Sequence, residues 1–254
     1  MLVAGAAFAA GVSLAGRDGS ASPHVIEEGL VTLPAAPVPA FRIPTPRLLD
    51  EPRTWSWSTV LQPVVARVSP SLAGDAVAPL STSTPEGTAN VVLVLGRAEE
   101  AGGRLWAHIR LPVLPNGSTG WVPRSSLSGY HPVRTRLVVD RRRLEATLLM
   151  DGRVVFRAPV GLGQRRWPTP PGEFYIRDRV RSFDSPFYGP VAFGTSARSS
   201  VLTDWPAGGF VGIHGTNQPG LIPGRVSHGC IRMRNGDILR LARLMPVGTP
   251  LTIT

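Results

Sequence analysis

The chain holds one cysteine and five histidines. Cys230, His214 and His228 all fall within residues 213–233, which read IHGTNQPGLIPGRVSHGCIRM. A thiol attacks carbonyl carbon as the thiolate, and forming a thiolate near neutral pH takes a neighbouring base or positive charge. His214 precedes Cys230 by sixteen positions, too far for one helix face but suited to two neighbouring strands or loop ends. Asn217-Gln218-Pro219-Gly220 and Pro223-Gly224 read as a loop that leaves and returns. Its two ends then bring base and nucleophile together. His228 is two positions from Cys230, and on an extended segment such residues share a face, so contact between them stays open. His214 comes from a separate strand along a free direction and is the preferred base, with His228 shaping the turn.

Ser227-His228-Gly229-Cys230 is a turn that can set several backbone N–H groups beside the sulfur. Such donors hold the oxyanion of a tetrahedral intermediate, and losing one costs about 10²–10³ in rate. Gly229 lets the backbone approach a substrate closely. A base also needs a partner for its second ring nitrogen. The carboxylates near the motif are Asp237 and the more distant Asp204, so a backbone carbonyl near Gly215 can serve instead. Two other readings compete. A lone cysteine can be a small buried hydrophobe, but His228, Gly229 and Arg232 are poor neighbours for one. His214, His228 and Cys230 could also ligate zinc, yet a structural site needs a fourth ligand and there is no second cysteine. The expectation from these residues is therefore no metal. His24, His108 and His131 sit in linker, strand and domain junction and read as incidental.

The elements that must position this motif are strands. Of the 254 residues 43% are hydrophobic, enough for real cores, while 28 Gly and 26 Pro favour strands and turns over long helices. The formal net charge is +10, and all 27 basic residues are arginine. That balance suggests an anionic neighbour: nucleic acid, a membrane surface or an acidic wall polymer. The arginines are scattered through both halves, so charge alone assigns no polyanion, and nucleic acid is not expected as a partner. A single cysteine excludes an intramolecular disulfide.

Residues 1–19 open with a small, uncharged, apolar run like the core of an export signal or signal anchor, without its basic leader. Residues 20–54 carry seven prolines and read as a semi-rigid linker. Residues 55–130 read as short strands at 64–68, 90–95 and 105–111, a turn at Asn116-Gly117, then Gly120-Trp121-Val122. Trp106 and Trp121 read as core. Residues 133–254 read as a second domain, with strands at 136–140, 144–150 and 153–157 and a tight Asp151-Gly152 turn between the last two. Arg141-Arg142-Arg143 reads as a solvated turn. Val160-Gly161-Leu162-Gly163 and a proline-rich turn at Trp167–Gly172 come next, and further strands at 173–176 and 210–213 follow, the last delivering His214. Asn235 reads as the N-cap of a short helix, with Asp237 in its first turn and Ile238, Leu239, Leu241 and Leu244 on one face. Residues 249–254 form a closing strand.

Two resemblances follow from these residues. The order of an early strand, a Gly-bearing turn, a Trp-containing strand and a Gly-Trp-Val strand resembles bacterial SH3-like domains. The runs IHGTNQP and SHGCIRM, the following Asn-Gly-Asp, the closing Pro-Val-Gly-Thr-Pro-Leu-Thr-Ile and the turn Thr169-Pro170-Pro171-Gly172-Glu173-Phe174 resemble the L,D-transpeptidases with a YkuD-type catalytic domain. The resemblances imply a mainly β chain, an SH3-like small barrel followed by a β-sandwich-like catalytic domain with short helices. They imply that Cys230 is the acylated nucleophile and that His214 is the base, oriented by the Gly215 carbonyl. They place backbone donors of the Ser227, His228, Gly229 and Cys230 turn at the oxyanion, and Arg232, with Thr216 and Asn217, at the substrate. Tyr188 and Trp205 are the candidates for an aromatic that covers the site in some relatives. The implied substrate is the peptidoglycan tetrapeptide stem, which loses its terminal D-alanine to form a thioester that a diaminopimelate amine resolves into a cross-link. Water as acceptor gives an L,D-carboxypeptidase. An endopeptidase using the same cysteine, or a non-catalytic wall-binding protein, would also fit these residues. The resemblance further implies acylation by carbapenems and an extracytoplasmic monomer, secreted or anchored by its N-terminus.

Overall fold

The computed structural model describes residues 47–48, 55–181, 186–202 and 209–254. The export-type segment at 1–19, most of the linker at 20–54, Asp204 and Trp205 lie outside the described residues.

A first sheet contains β1 (Arg47–Leu48), β2 (Trp55–Thr59), β3 (Val64–Arg67), β4 (Ala76–Leu80), β5 (Val91–Glu99), β6 (Leu105–Arg110), β7 (Thr119–Pro123) and β8 (His131–Val133). The strands pair in the order β4-β3-β7-β6-β5-β2-β8, and β1, inside the segment read as linker, pairs with the end of β5. Alternate residues of these strands point to one interior: Ala66, Val92, Val94, Ala107, Ile109 and Val122 pack together. Trp106 is fully buried, as expected, and its indole N–H donates to Glu100 at 3.1 Å. Trp121 is only half-buried and stacks on His108 with centroids 4.6 Å apart. His131 likewise stacks on Trp57, so both histidines do packing work.

The second sheet begins with β9 (Thr135–Asp140), β10 (Glu145–Met150), β11 (Arg153–Pro159), β12 (Gly161–Gly163) and β13 (Gly172–Arg181). It continues with β14 (Val191–Arg198), β15 (Phe210–His214), β16 (Gly224–Ser227), β17 (Ile231–Arg232) and β18 (Pro250–Ile253), with helix α1 (Asn235–Leu244) before the last strand. The order is β11-β10-β9-β18-β13-β14-β15-β17-β12-β16. The long strand β13 pairs with β18 through its first half and with β14 through its second. The sheet folds over at that point, and its two inner faces meet. Leu137, Val139 and Leu148 from one half pack with Ile176, Phe193, Ile213 and Ile231 from the other, as a sandwich-like core. Each such side chain contributes roughly 1.5–3 kcal/mol on burial.

Helix α1 departs from the sequence reading in two ways. Its N-cap position is Arg234, and Asn235 is the first helical residue. The Asn235 carboxamide serves the neighbouring loop instead, accepting the Thr216 N–H at 2.9 Å. The core-facing stripe is Ile238 and Leu241, with Leu244 at its margin, whereas Leu239 is exposed. The rotation of the helix from one residue to the next carries Leu239 off the stripe, which the run of leucines in the sequence disguises. The Arg141-Arg142-Arg143 run is a turn as expected, with the N–H groups of Arg142 and Arg143 donating to Asp140.

The two sheets share a small apolar contact in which Val91 and Leu93 of β5 meet Tyr175 of β13, with Trp57, Leu95 and Val247 around them. Tyr175 is fully buried, and its hydroxyl donates to the Val91 carbonyl at 3.1 Å. Burial pushes its phenol well above the ordinary range. Tyr175→Phe deletes that bond and leaves a buried carbonyl lone pair unmet. Urea unfolding of the variant is expected to show a loss of about 1–2 kcal/mol with the slope unchanged; an unmoved midpoint would refute the contact as a stabilising one.

Candidate active site

Strands β15 and β17 run parallel, with Ile213 opposite Ile231 and His214 opposite Arg232. Side chains alternate faces along a strand. Ile213 and Ile231 point into the core and are fully buried. Gly212 and His214 therefore share the other face with Arg232 and with Cys230, which lies one residue before β17. The Gly212 N–H donates to the Cys230 sulfur at 3.4 Å. A loop containing a short 3-10 turn at Pro219–Leu221, followed by β16, closes the sixteen-residue separation. The cleft over this face measures about 280 Å³. His214, Ser227, His228, Cys230 and Arg232 form its floor, and Phe187, Tyr188, Leu202 and Phe210 stand at its sides.

His214 is 4% exposed, and its Nδ1 lies 2.6 Å from the Gly215 carbonyl oxygen. A carbonyl only accepts, so Nδ1 carries the proton and Nε2 keeps its lone pair. The Tyr188 ring meets the imidazole edge-on at 5.0 Å. His228 is exposed, and its ring packs on Trp167 at 4.0 Å, with the Arg166 guanidinium 4.6 Å from the same indole. The buried, tautomer-fixed histidine is thus His214, and His228 belongs to the rim.

The turn that presents Cys230 is held by two hydroxyls. Ser227 Oγ donates to the Cys230 carbonyl at 2.6 Å and accepts the Gly229 N–H at 3.1 Å. Thr169 Oγ1 donates to the Gly229 carbonyl at 2.8 Å and accepts the Gly163 N–H at 2.9 Å. Gly229 adopts a φ of 118°, a region that side chains oppose. Both backbone polar groups of Gly229 are therefore used inside the turn. Its N–H, expected at the oxyanion, donates to the Ser227 hydroxyl in this structure. Gly163 is tied in as closely: a Cβ there would lie 2.6 Å from the Thr169 nitrogen.

Arg232 is half-buried, and its buried Nε has no hydrogen-bond partner among the described residues. Burial pushes the Cys230 thiol above its ordinary value, while the Gly212 N–H and the Arg232 charge oppose the rise. Burial drives His214 down to about 4; the Gly215 carbonyl pulls the other way and Arg232 adds to the fall. At neutral pH burial thus favours a thiol at Cys230 and a neutral imidazole at His214.

The structure gathers Cys230, His214, Gly215, Ser227, His228, Gly229 and Arg232 in one place. Thr216 and Asn217 are not among the walls of the cleft. Thr216 is buried, and its hydroxyl accepts the Gln218 N–H at 3.1 Å inside its own loop, while Asn217 is exposed. Both lie past the end of β15, in the loop that follows it. Sequence reasoning missed Thr169, Trp167, Gly212 and Phe210. Thr169 stood in a turn noted for its sequence and given no contact of its own, and Gly212 and Phe210 were read as strand.

Residues 134–253 match the family model described as the L,D-transpeptidase catalytic domain, YkuD. A Bacillus subtilis relative carrying the name L,D-transpeptidase YkuD is 40% identical over 107 residues, covering 42% of this chain and 58% of its own. The chain thus spans less than two thirds of that relative's length. A second Bacillus subtilis relative, carrying the name L,D-transpeptidase YqjB, is 31% identical over 126 residues, covering 46% of this chain and 70% of its own. Among solved structures, an L,D-transpeptidase from Mycobacterium smegmatis is 16% identical, with 59% of this chain and 90% of that one covered and a TM-score of 0.39.

The depressed His214 makes stability pH-dependent. Unfolded, the imidazole titrates near 6.5; folded, near 4. Between those values the unfolded chain binds more protons, so stability falls as pH falls through the window. The contribution lost by pH 4 is about 3 kcal/mol. Urea unfolding at pH 7 and pH 4 is expected to show a larger loss for wild type than for His214→Gln by about that amount. Equal losses in both proteins would show that His214 is not buried neutral.

Proposed function

Because the chain belongs to the L,D-transpeptidase catalytic-domain family, we propose that it is a cysteine acyltransferase that cross-links peptidoglycan stem peptides. The observation that carries this reading is Cys230 beside the Gly212 N–H on the same strand face as a His214 whose Nδ1 is committed to the Gly215 carbonyl. That commitment leaves Nε2 as the free base.

In the first half-reaction the Cys230 sulfur attacks the carbonyl carbon of the L-to-D peptide bond in a tetrapeptide donor, and His214 Nε2 takes the thiol proton. A carbon–sulfur bond forms and the carbonyl becomes an oxyanion, which backbone N–H groups of the Cys230 turn stabilise. Collapse breaks the carbon–nitrogen bond, His214 returns the proton to the leaving amine, and D-alanine departs. The product is a thioester on Cys230. In the second half-reaction the side-chain amine of a diaminopimelate on another stem attacks the thioester. His214 takes the amine proton and passes it to the leaving thiolate, and an amide cross-link results. Water in place of the amine gives a trimmed stem. Neither half-reaction calls for a metal or an organic cofactor.

Arg232 supplies a fixed positive charge next to the thiol. It stabilises the developing thiolate and, through its unpaired Nε, offers a donor to a substrate carboxylate. Tyr188, edge-on to His214 at the side of the cleft, is the aromatic that covers the reacting groups. The substrate lies outside the cytoplasm, and the enzyme acts there as a monomer. Residues 1–19 serve as export signal or anchor, the proline-rich stretch between them and β1 as reach into the wall and the first sheet as an SH3-like module.

Intact-mass spectrometry of the full chain with a disaccharide-tetrapeptide tests this, with Cys230→Ala beside wild type. Wild type is expected to release D-alanine and yield a linked dimer, and to gain the mass of one carbapenem on Cys230; the variant is expected to do none of these. Tripeptide without dimer would replace transfer by carboxypeptidase action, and stems cut without D-alanine release would replace it by endopeptidase action. An inert wild type would leave a wall-binding protein.

A further inference from the structure

Phe210 opens β15 and forms one side of the cleft. Two guanidinium groups flank its ring. Arg177 of β13 lies 3.9 Å from the ring centroid, and Arg198, at the end of β14, lies 4.8 Å away. Both arginines are held from the first sheet.

Arg177 is 2% exposed, an unusual place for a permanent charge. Its carboxylate partner is Glu86, at 3.0 Å, from the loop between β4 and β5. Among the described residues its Nε and the other terminal nitrogen have no hydrogen-bond partner, so the ion pair, the nearby Asp178 carboxylate and the Phe210 ring share the burden of compensating the charge. The same loop reaches β13 again through Thr88, whose hydroxyl faces the Asp178 carboxylate at 3.5 Å. Arg198 is held differently. Asn116, in the loop between β6 and β7, donates its carboxamide N–H to the Arg198 carbonyl at 2.7 Å and accepts the Arg198 N–H at 3.0 Å. That two-point clasp fixes the backbone of the residue that pairs with Phe210 across the sheet.

We propose that Glu86 and Asn116 are positioning residues for the cleft: through Arg177 and Arg198 they fix the Phe210 wall against which a donor stem lies, so that the first sheet takes part in substrate binding without touching substrate. A buried guanidinium deprived of its carboxylate is strongly destabilised where it stands. Without Glu86, Arg177 moves towards water and gives up its place on the ring. Without Asn116, the end of β14 loses its clasp and the pairing with Phe210 loosens. Neither change reaches the Ser227 and Thr169 bonds that hold the thiol. The choice of donor rests on the transpeptidase reading, whereas the coupling of loop to wall does not.

The test uses the full chain and the variants Glu86→Ala, Asn116→Ala, Phe210→Leu and Glu86→Ala with Phe210→Leu. For D-alanine release from the disaccharide-tetrapeptide, each of the first two is expected to raise KM about fivefold with kcat within about twofold, the signature of lost binding. Alkylation of Cys230 by iodoacetamide, a probe too small to need the wall, is expected to stay within about twofold in both. In the Phe210→Leu background Glu86→Ala is expected to add nothing, because one path carries both effects. Amide exchange over residues 210–214 is expected to quicken about tenfold in Glu86→Ala while β9 and β10 stay unchanged. An unchanged KM, or effects of Glu86→Ala and Phe210→Leu that simply add, would overturn the proposal. If wild type releases no D-alanine, the functional reading fails on its own, and the exchange experiment still decides the coupling: equal rates over 210–214 in wild type and Glu86→Ala would sink it.

Discussion

The parallel pairing of β15 with β17 is the constraint on which the site depends. It is short, since β17 spans only Ile231–Arg232, yet it sets the register of the reacting groups. Because side chains alternate along a strand, one register choice buries Ile213 and Ile231 and turns His214 and Arg232 towards the cleft with Cys230 beside Gly212. A one-residue slip would exchange the two faces, sending apolar side chains into the cleft and a charge into the core. The hydrophobic effect on the inner face thus enforces the chemical geometry on the outer one. Met233 N–H, donating to the His214 carbonyl at 2.8 Å, continues the ladder beyond the pairing.

Burial then sets the protonation states. The same packing that excludes water from the pair disfavours charge on both members, raising the thiol and lowering the imidazole. Arg232 helps the thiolate and hinders the imidazolium, so its effects on the two partners differ in consequence. For a reaction that moves the thiol proton onto His214, the first effect assists and the second resists. In the proposed reaction its net use lies in the steps where negative charge sits on sulfur or on a substrate oxygen. Two neutral groups at rest also avoid the cost of holding two charges in an apolar setting.

The reading of sequence reached furthest where one residue type has few substitutes. Val138, Val139, Leu148 and Leu149 alternate or cluster as strands do around an Asp-Gly turn, and β9, β10 and β11 lie where that pattern puts them. The lone cysteine and the paired SHGC and IHG runs marked the site, because sulfur and imidazole are scarce enough for spacing to carry meaning. Residues whose value depends on a distant partner were opaque. Asn235 looked like a helix cap and instead serves a loop nineteen positions away in sequence. Thr169 and Gly229 lie sixty positions apart and are joined by one hydrogen bond. Leu239 has the hydrophobicity of its neighbours, and only the helical phase against a particular core turns it outwards. Those relations exist in the pairing of strands, and the linear chain carries no local sign of them.

The contact between the two sheets is where polar and apolar terms divide the labour. Tyr175, Val91 and Leu93 give an apolar centre whose contribution grows with buried area and is indifferent to direction. The Glu86–Arg177 pair and the Asn116 clasp are by contrast strongly directional. A buried ion pair adds little to stability over an apolar replacement of equal size, and what it can add is a unique arrangement. Arg177 fits that description: a guanidinium pinned between a carboxylate from one sheet and a phenyl ring from the other tolerates few other positions, whereas leucine in its place could slide. The apolar patch holds the sheets together, and the charged pair determines which arrangement they hold. Since Phe210 is both the ring under that guanidinium and a wall of the cleft, the arrangement chosen is one the reacting groups experience directly.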